Sequence, residues 1–318
     1  MASNSWEAAD IGNVLPLRTN DGTGVWSDAR KINDSGYIVG MGQLTNYMVT
    51  GCIWTFTSTN FTLTLPYGIA TNFSEFQSVN NSGVYTIQDD LTDFTATHRT
   101  EAWTSTGSIG SYNGFFNDLS ESSDVYCYPF GINNSGTVVG STSGNGAVLT
   151  AFVWNGEGEP VSLGAAGGQT GYSAAYDVNS AGSAVGFQIT ASAGPLFLWT
   201  PTTNNGTSGT LTDISPTNTW NGEARGINDS GIVVGWAEIW DQNSCNPSVH
   251  QAIIYDAVNG ARDLNTLIPG ETGWHLLGAL SINNGGYIVG LGDLTTYDES
   301  CPPIPTTERR AFLLIPNP

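Results

Sequence analysis

One pattern recurs through the whole chain. An Ile/Val-Asn pair is followed by a short turn ending in Ser-Gly or a close variant, and then by a β-branched run. It occupies Lys31–Gly40, Ser78–Ile87, Gly131–Gly140, Asp177–Gly186, Gly226–Gly235 and Ser281–Gly290. The shared Asn stands at 33, 80, 133, 179, 228 and 283, so the repeat length is 47, 53, 46, 49 and 55 residues. A unit of that size, rich in β-branched residues and without a 3.6-residue apolar period, cannot bury its apolar face alone and must stack on its neighbours. It fits a propeller blade far better than a helical repeat.

Each unit reads as four strands. The first ends at Ile/Val-Asn. The Asn-x-Ser-Gly stretch is a hairpin turn, in which Asn hydrogen-bonds the backbone and Gly accepts positive φ. The second strand is the run closing in Val-Gly. The third is apolar and aromatic, as in Cys52–Trp54, Ala151–Trp154 and Leu196–Trp199, and the fourth is short, as in Leu63–Leu65, Leu211–Ile214 and Ala261–Leu264. The third-strand aromatics are expected to pack between sheets. The last unit stops after its third strand, while Trp6–Ile11 resembles a fourth strand. The expected fold is therefore an all-β, six-bladed β-propeller with four-stranded antiparallel blades. The N-terminal strand is expected to complete the last blade, so that residues 1–318 make one domain without a free edge.

Charge narrows the partners. There are 28 acidic and 8 basic side chains, a net charge of −20, and one lysine, Lys31. Nucleic-acid binding draws on clustered Lys and Arg, which this chain lacks, and docking to an anionic membrane surface is disfavoured for the same reason. No apolar run is long enough to cross a membrane as a helix. Seven Asn-x-Ser/Thr sequons, at Asn33, Asn60, Asn72, Asn80, Asn133, Asn205 and Asn228, together with few charges, point to a secreted glycoprotein. The chain begins Met-Ala-Ser-Asn-Ser, without an apolar leader. Cys245 and Cys301 fall in long loops of adjacent units and suit a disulfide, whereas Cys52 and Cys127 belong to non-adjacent units and stay unassigned.

In a four-stranded blade, the loops between second and third strands share a face with the connections between blades. The short Asn turns lie on the other face. The long-loop face is the expected binding face. Residues at the ends of the inter-blade connections lead into the innermost strands and should ring the channel. This selects the aromatics Trp26, Phe76, Tyr126, Tyr128, Tyr172, Tyr176, Trp220 and Trp274, with Asp28, Glu223, Arg225 and His275 as polar groups. Glu223 beside Arg225 also reads as a plain ion pair. An aromatic ring with a few polar groups suits a small-molecule pocket. Two acid-rich loops, Asp89/Asp90/Asp93 and Asp293/Asp298/Glu299, offer oxygen ligands but lack EF-hand spacing. No phosphate-loop, dinucleotide or zinc-protease motif occurs, and neither metal nor cofactor is expected.

The Ile-Asn-x-Ser-Gly-x-Val-Val-Gly motif followed by Ala-Phe-x-Trp resembles the HAF-type extracellular repeat over nearly the whole chain, departing at Thr86-Ile87. In overall character the chain also resembles fungal secretory propellers that act as hetero-Diels–Alderases in tropolone-sesquiterpenoid formation. The resemblance implies a cofactor-independent cyclase joining a quinone methide to a humulene-like terpene. Arg225, His275 or Tyr172 would then hydrogen-bond the heterodiene oxygen, and Trp26, Asp28, Phe76, Tyr126, Tyr128, Tyr176, Trp220, Glu223 and Trp274 would seat the substrates. The alternative reading is a neutral-carbohydrate-binding, lectin-like or carbohydrate-active propeller, and a third is a scaffold without pocket chemistry.

Overall fold

The computed structural model describes residues 6–10, 27–43, 49–57, 60–64, 74–89, 99–105, 112–115, 126–143, 149–156, 160–163, 171–189, 194–240, 248–270, 272–297 and 304–316. The protein is an all-β β-propeller. Strand β1 (Trp6–Asp10) is followed by five four-stranded units in chain order. The first holds β2 (Ser27–Ile32), β3 (Tyr37–Gln43), β4 (Val49–Thr57) and β5 (Asn60–Thr64). The second holds β6 (Ser74–Val79), β7 (Val84–Asp89), β8 (Arg99–Ser105) and β9 (Tyr112–Phe115). The third holds β10 (Tyr126–Ile132), β11 (Val138–Ser143), β12 (Thr150–Trp154) and β13 (Val161–Ser162). The fourth holds β14 (Ser173–Val178), β15 (Ala184–Gln188), β16 (Leu196–Pro201) and β17 (Gly209–Asp213). The fifth holds β18 (Thr219–Ile227), β19 (Val233–Trp240), β20 (Ser248–Asp256) and β21 (Gly260–Asp263). The chain ends with β22 (Trp274–Ile282), β23 (Ile288–Tyr297) and β24 (Pro305–Pro316), and β1 lies antiparallel on β24 with Trp6 opposite Pro316 and Asp10 opposite Phe312. Among the described residues no helix is long and apolar enough to cross a membrane.

Apolar third strands hold the sheets together. Trp54, Phe152, Phe197, Trp199 and Phe312 are at most 2% exposed. Trp199 and Phe197 of one sheet share a core with Val139, Ala151 and Val153 of the preceding one. Burying one such side chain stabilises the fold by about 1.5–3 kcal/mol, so the third-strand motif is a packing device, as its apolar character suggests.

The repeated Asn does more than close a hairpin. Asn179 Oδ1 accepts from its own turn, at Ala181 N (3.1 Å) and Ser183 N (3.0 Å), while its Nδ2 donates to Asn228 O of the next sheet (3.2 Å). Asn33, Asn80, Asn133 and Asn228 make the same three contacts onto Asn80, Asn133, Asn179 and Asn283. One buried carboxamide thus satisfies two turn donors and clasps the neighbouring sheet, which no aliphatic or carboxylate side chain does. Gly36 lies at φ +79°, as the turn requires.

A second tier runs outside the first. Asp34 N donates to Asn81 Oδ1, Asn81 N to Asn134 Oδ1, Ser180 N to Asp229 Oδ1, Asp229 N to Asn284 Oδ1, and Asn284 N to Asp34 Oδ1, all at 2.7–3.0 Å. This consumes the turn sequons. Asn33, Asn80, Asn133 and Asn228 are buried with their amides engaged. Asn205 brackets two sheets through Asn133 Nδ2 (2.6 Å), Thr137 Oγ1 (2.9 Å) and Ser180 O (3.1 Å). These five therefore read as structural asparagines. Asn60 Cα sits in β5, and Asn72 lies outside the described residues.

Each inner strand breaks register at the same place, between Ala29/Lys31, Phe76/Ser78, Pro129/Gly131, Ala175/Asp177, Ala224/Gly226 and Ala279/Ser281. A bulge leaves one residue unpaired and re-aims it. The residues at which the ladder register shifts are Arg30, Gln77, Phe130, Tyr176, Arg225 and Leu280. The second-strand glycine answers the bulge: a Cβ on Gly186 would lie 1.9 Å from Ala174 O, and one on Gly235 would lie 2.1 Å from Glu223 O. That is the physical content of the Val-Val-Gly ending.

Candidate functional site

The two ends of the propeller axis differ in access. At the Asn-turn end a cavity of about 70 Å³ is lined by Asn, Asp and the Lys31 and Asp177 side chains. Lys31, on β2, forms an ion pair with Asp177 on β14, whose carboxylate is 2% exposed and also accepts from Ile227 N at 2.9 Å. The bridge joins the first four-stranded sheet to the fourth. The space left at this end takes only a few waters.

At the long-loop end the bulge residues and their neighbours form an aromatic arc. Tyr128 stacks on Phe130 (6.3 Å between centroids), Phe130 meets Tyr176 (5.2 Å), and Phe187 lies against both Tyr176 (5.7 Å) and Tyr172 (5.4 Å). The Arg225 guanidinium lies 3.9 Å over the Tyr176 ring, a cation–π contact. Glu223 ties the group together. It accepts from Tyr176 Oη (3.2 Å), Arg225 Nε (2.6 Å) and Trp236 Nε1 (3.0 Å). Burial, and secondarily the Glu223 carboxylate, push the Tyr172 hydroxyl up; burial also raises Tyr176, against the opposing pull of Arg225. Both phenols stay protonated at neutral pH, and the Tyr176 hydroxyl donates to Glu223.

Beside this network a groove of about 330 Å³ runs between the β18–β21 sheet and the β22–β24 sheet. Trp236 and His250 wall one side, stacked at 4.5 Å and 18°. Leu277, Leu280, Leu291 and Gly278 wall the other, and Arg309 stands at its edge, bonded to Asp293 (3.1 Å). Trp236 pairs with Ala252 and Glu238 with His250 across β19 and β20, so Trp236 and His250 are diagonal neighbours on one sheet face.

The expected site residues part company here. Tyr172, Tyr176, Glu223 and Arg225 come together, and Glu223–Arg225 is an ion pair as well as part of the wall. Tyr128 joins the arc. Phe76 does not: it is fully buried, edge-on to Tyr85 at 4.6 Å, and belongs to the core because its side chain turns between sheets rather than toward the axis. Trp274 packs its ring on Phe312, half-buried. His275 is exposed on the sixth sheet opposite Asp293, away from the Tyr176–Arg225 group. Trp220 is 57% exposed and meets Trp240 (45% exposed) at 6.4 Å. Asp28 and Tyr126 lie in β2 and β10, and their side chains, like all of Trp26, fall outside the described residues. So do Cys245 and Cys301, the expected disulfide. Among the described residues no three His, Cys, Asp or Glu side chains converge on a metal position.

The sequence places Trp236 and His250 on the long-loop face but not among the residues expected to ring the channel, and it does not single out Phe130, Phe187 or Leu280. The strand register of Val-Val-Gly-Trp against His-Gln-Ala-Ile carries the signal for the first two.

The chain matches a family described as protein of unknown function (DUF3466) over residues 7–279. It belongs to that family. No curated protein matches it. Among solved structures it is similar to the β-propeller domain of the Trilobed protease from Pyrococcus furiosus, described as having an open velcro topology. The identity is 11%, the coverage 75% of this chain and 69% of that one, and the TM-score 0.45. Membership in DUF3466 assigns no chemistry, so function is argued from the site.

Proposed function

We propose that this DUF3466 protein binds a small, largely apolar molecule in the groove between its fifth sheet and the β22–β24 sheet. In this reading it acts as a cofactor-independent cyclase, joining a tropolone-type quinone methide to a humulene-like olefin by hetero-Diels–Alder addition. The observation that carries the binding reading is the groove itself: about 330 Å³, walled by Trp236, His250 and three leucines. Such a volume sits at the small end of ligand pockets. The reaction reading rests on the chain's resemblance, in overall character, to fungal secretory hetero-Diels–Alderase propellers. A cycloaddition asks only that two partners be held close and aligned, which proximity supplies. Arg225 belongs to the aromatic arc beside the groove; Glu223 engages its Nε and Nη2, and a guanidinium carries five N–H donors, so donors remain for a heterodiene oxygen that reaches the arc.

The reading includes a six-bladed ring latched by the N-terminal strand. The β1–β24 ladder and the Asn284–Asp34 contact support it. It also includes a secretory origin and a Cys245–Cys301 disulfide, to be checked by non-reducing peptide mapping. The deciding experiment incubates the protein with a quinone-methide precursor and a polyene. Enantioenriched adduct formed faster than background supports the cyclase; racemic product at the uncatalysed rate refutes it. The exposed Trp220–Trp240 pair favours a second reading, stacking on a neutral sugar, which a glycan array tests against Trp220→Ala.

A further inference from the structure

We infer that His250 selects the groove's ligand: an apolar molecule bearing a hydroxyl group, whose O–H donates to His250 Nε2. This rests on the groove being a small-molecule site, and it adds which molecules it takes. His250 Nδ1 lies 3.1 Å from the backbone oxygen of Leu277. A carbonyl oxygen only accepts, so Nδ1 carries the proton. In the neutral ring the other nitrogen then holds a lone pair. His250 lines the groove; Arg309, the charged residue of the lining, carries only donors, and the leucines carry no polar side-chain atom, so that lone pair is the side-chain acceptor the lining offers.

The ring is held in place from both sides. Its Nδ1–H is tied to the sixth sheet through Leu277, and its face is stacked on Trp236. Trp236 is itself fixed by its Nε1–H···Glu223 bond. Glu223 is thus a positioning residue for an imidazole it does not touch. Glu223 accepts from Tyr176, Arg225 and Trp236, which holds it as an acceptor rather than a donor to the groove. A ligand donor therefore meets an acceptor at His250, while its apolar body meets Leu277, Leu280 and Leu291. A hydroxyl left facing leucine would be an unsatisfied polar group, and this is the source of selectivity.

The test uses a matched probe pair, 2-naphthol and 2-methoxynaphthalene, titrated by fluorescence, together with ¹⁵N spectra of the histidine rings. The expected result is about tenfold tighter binding of the naphthol to the native protein, with His250 showing a protonated Nδ1 and a bare Nε2. His250→Phe keeps a flat ring on Trp236 without the acceptor and should bind both probes alike. Leu280→Lys should abolish both. Equal affinity of the two probes for the native protein, or an Nε2–H tautomer, overturns the inference and leaves the groove reading standing. Binding of neither probe overturns both.

Discussion

The two ends of the propeller axis are built by opposite rules. At the turn end the same asparagine performs the same three bonds in five successive units, and an outer tier of Asp and Asn side chains repeats the arrangement. At the long-loop end the units diverge: Arg30, Gln77, Phe130, Tyr176, Arg225 and Leu280 occupy equivalent bulge positions, and only arginine occurs twice. Sameness at one end holds sheets at a fixed spacing. Difference at the other supplies cation, amide, aromatic and aliphatic surface side by side. Lys31 and Asp177, which line the turn-end cavity, bridge the first sheet to the fourth between the two ends.

The largest way to break this contrast is to remove the bridge. Lys31→Met leaves the Asp177 carboxylate buried without its counter-ion and should cost about 3–5 kcal/mol, read by urea denaturation. Pairing it with Asp177→Asn, which still accepts from Ile227 N, should restore most of that loss. An unchanged single variant would mean that the bridge is solvated and the axis open.

Next, Asn179→Ala should cost roughly 3 kcal/mol, because buried turn donors and a carbonyl lose their partner together. Trp220→Ala at the other end should change stability by no more than about 0.5 kcal/mol. Similar losses for the two would mean that the turn end is no more structural than the long-loop end.

Chemical labelling gives a smaller but clean readout. Burial pushes the Cys52 thiol up to about 12, so the native protein should resist alkylation there at pH 8 and react fully in urea. Peptide-level labelling in the native state would show that the first sheet opens.

The smallest effect is acid sensitivity of the turn end. Burial of Asp229 would raise its pKa, but bonds from Ser180 and Asn284 outweigh this and hold it below 3.8. A depressed folded pKa stabilises the protein above the unfolded value and loses that stabilisation as pH falls through the folded one. Stability should therefore fall as pH drops below the usual carboxylate range, and Asp229→Asn should blunt the fall. Equal acid profiles for the two proteins would remove Asp229 from the account.

Much of the fold was legible because period-2 strands and Asn-Gly turns are local signals. Leu211–Ile214 was expected as a fourth strand and Gly209–Asp213 is one; Trp6–Ile11 was expected as a strand and Trp6–Asp10 is one. The site was less legible. Tyr176, Glu223 and Arg225 could be placed by counting back from the Asn turn. Phe76 stands four residues before its Asn, one short of the position that Tyr176 and Arg225 occupy, and the apolar string itself does not mark where the bulge falls. Lys31 and Asp177 are 146 residues apart and meet only once the first and fourth sheets are both in place. The cross-sheet donation by the repeated Asn was hidden behind its own turn, which already explains why Asn is there.

The shared bulge gives protein engineers an unusually simple handle. A single codon per repeat sets the bulge side chain, while neighbouring codons maintain the ladder. Randomising only those positions would yield a family of lumens differing in polarity and bore on an unaltered chassis.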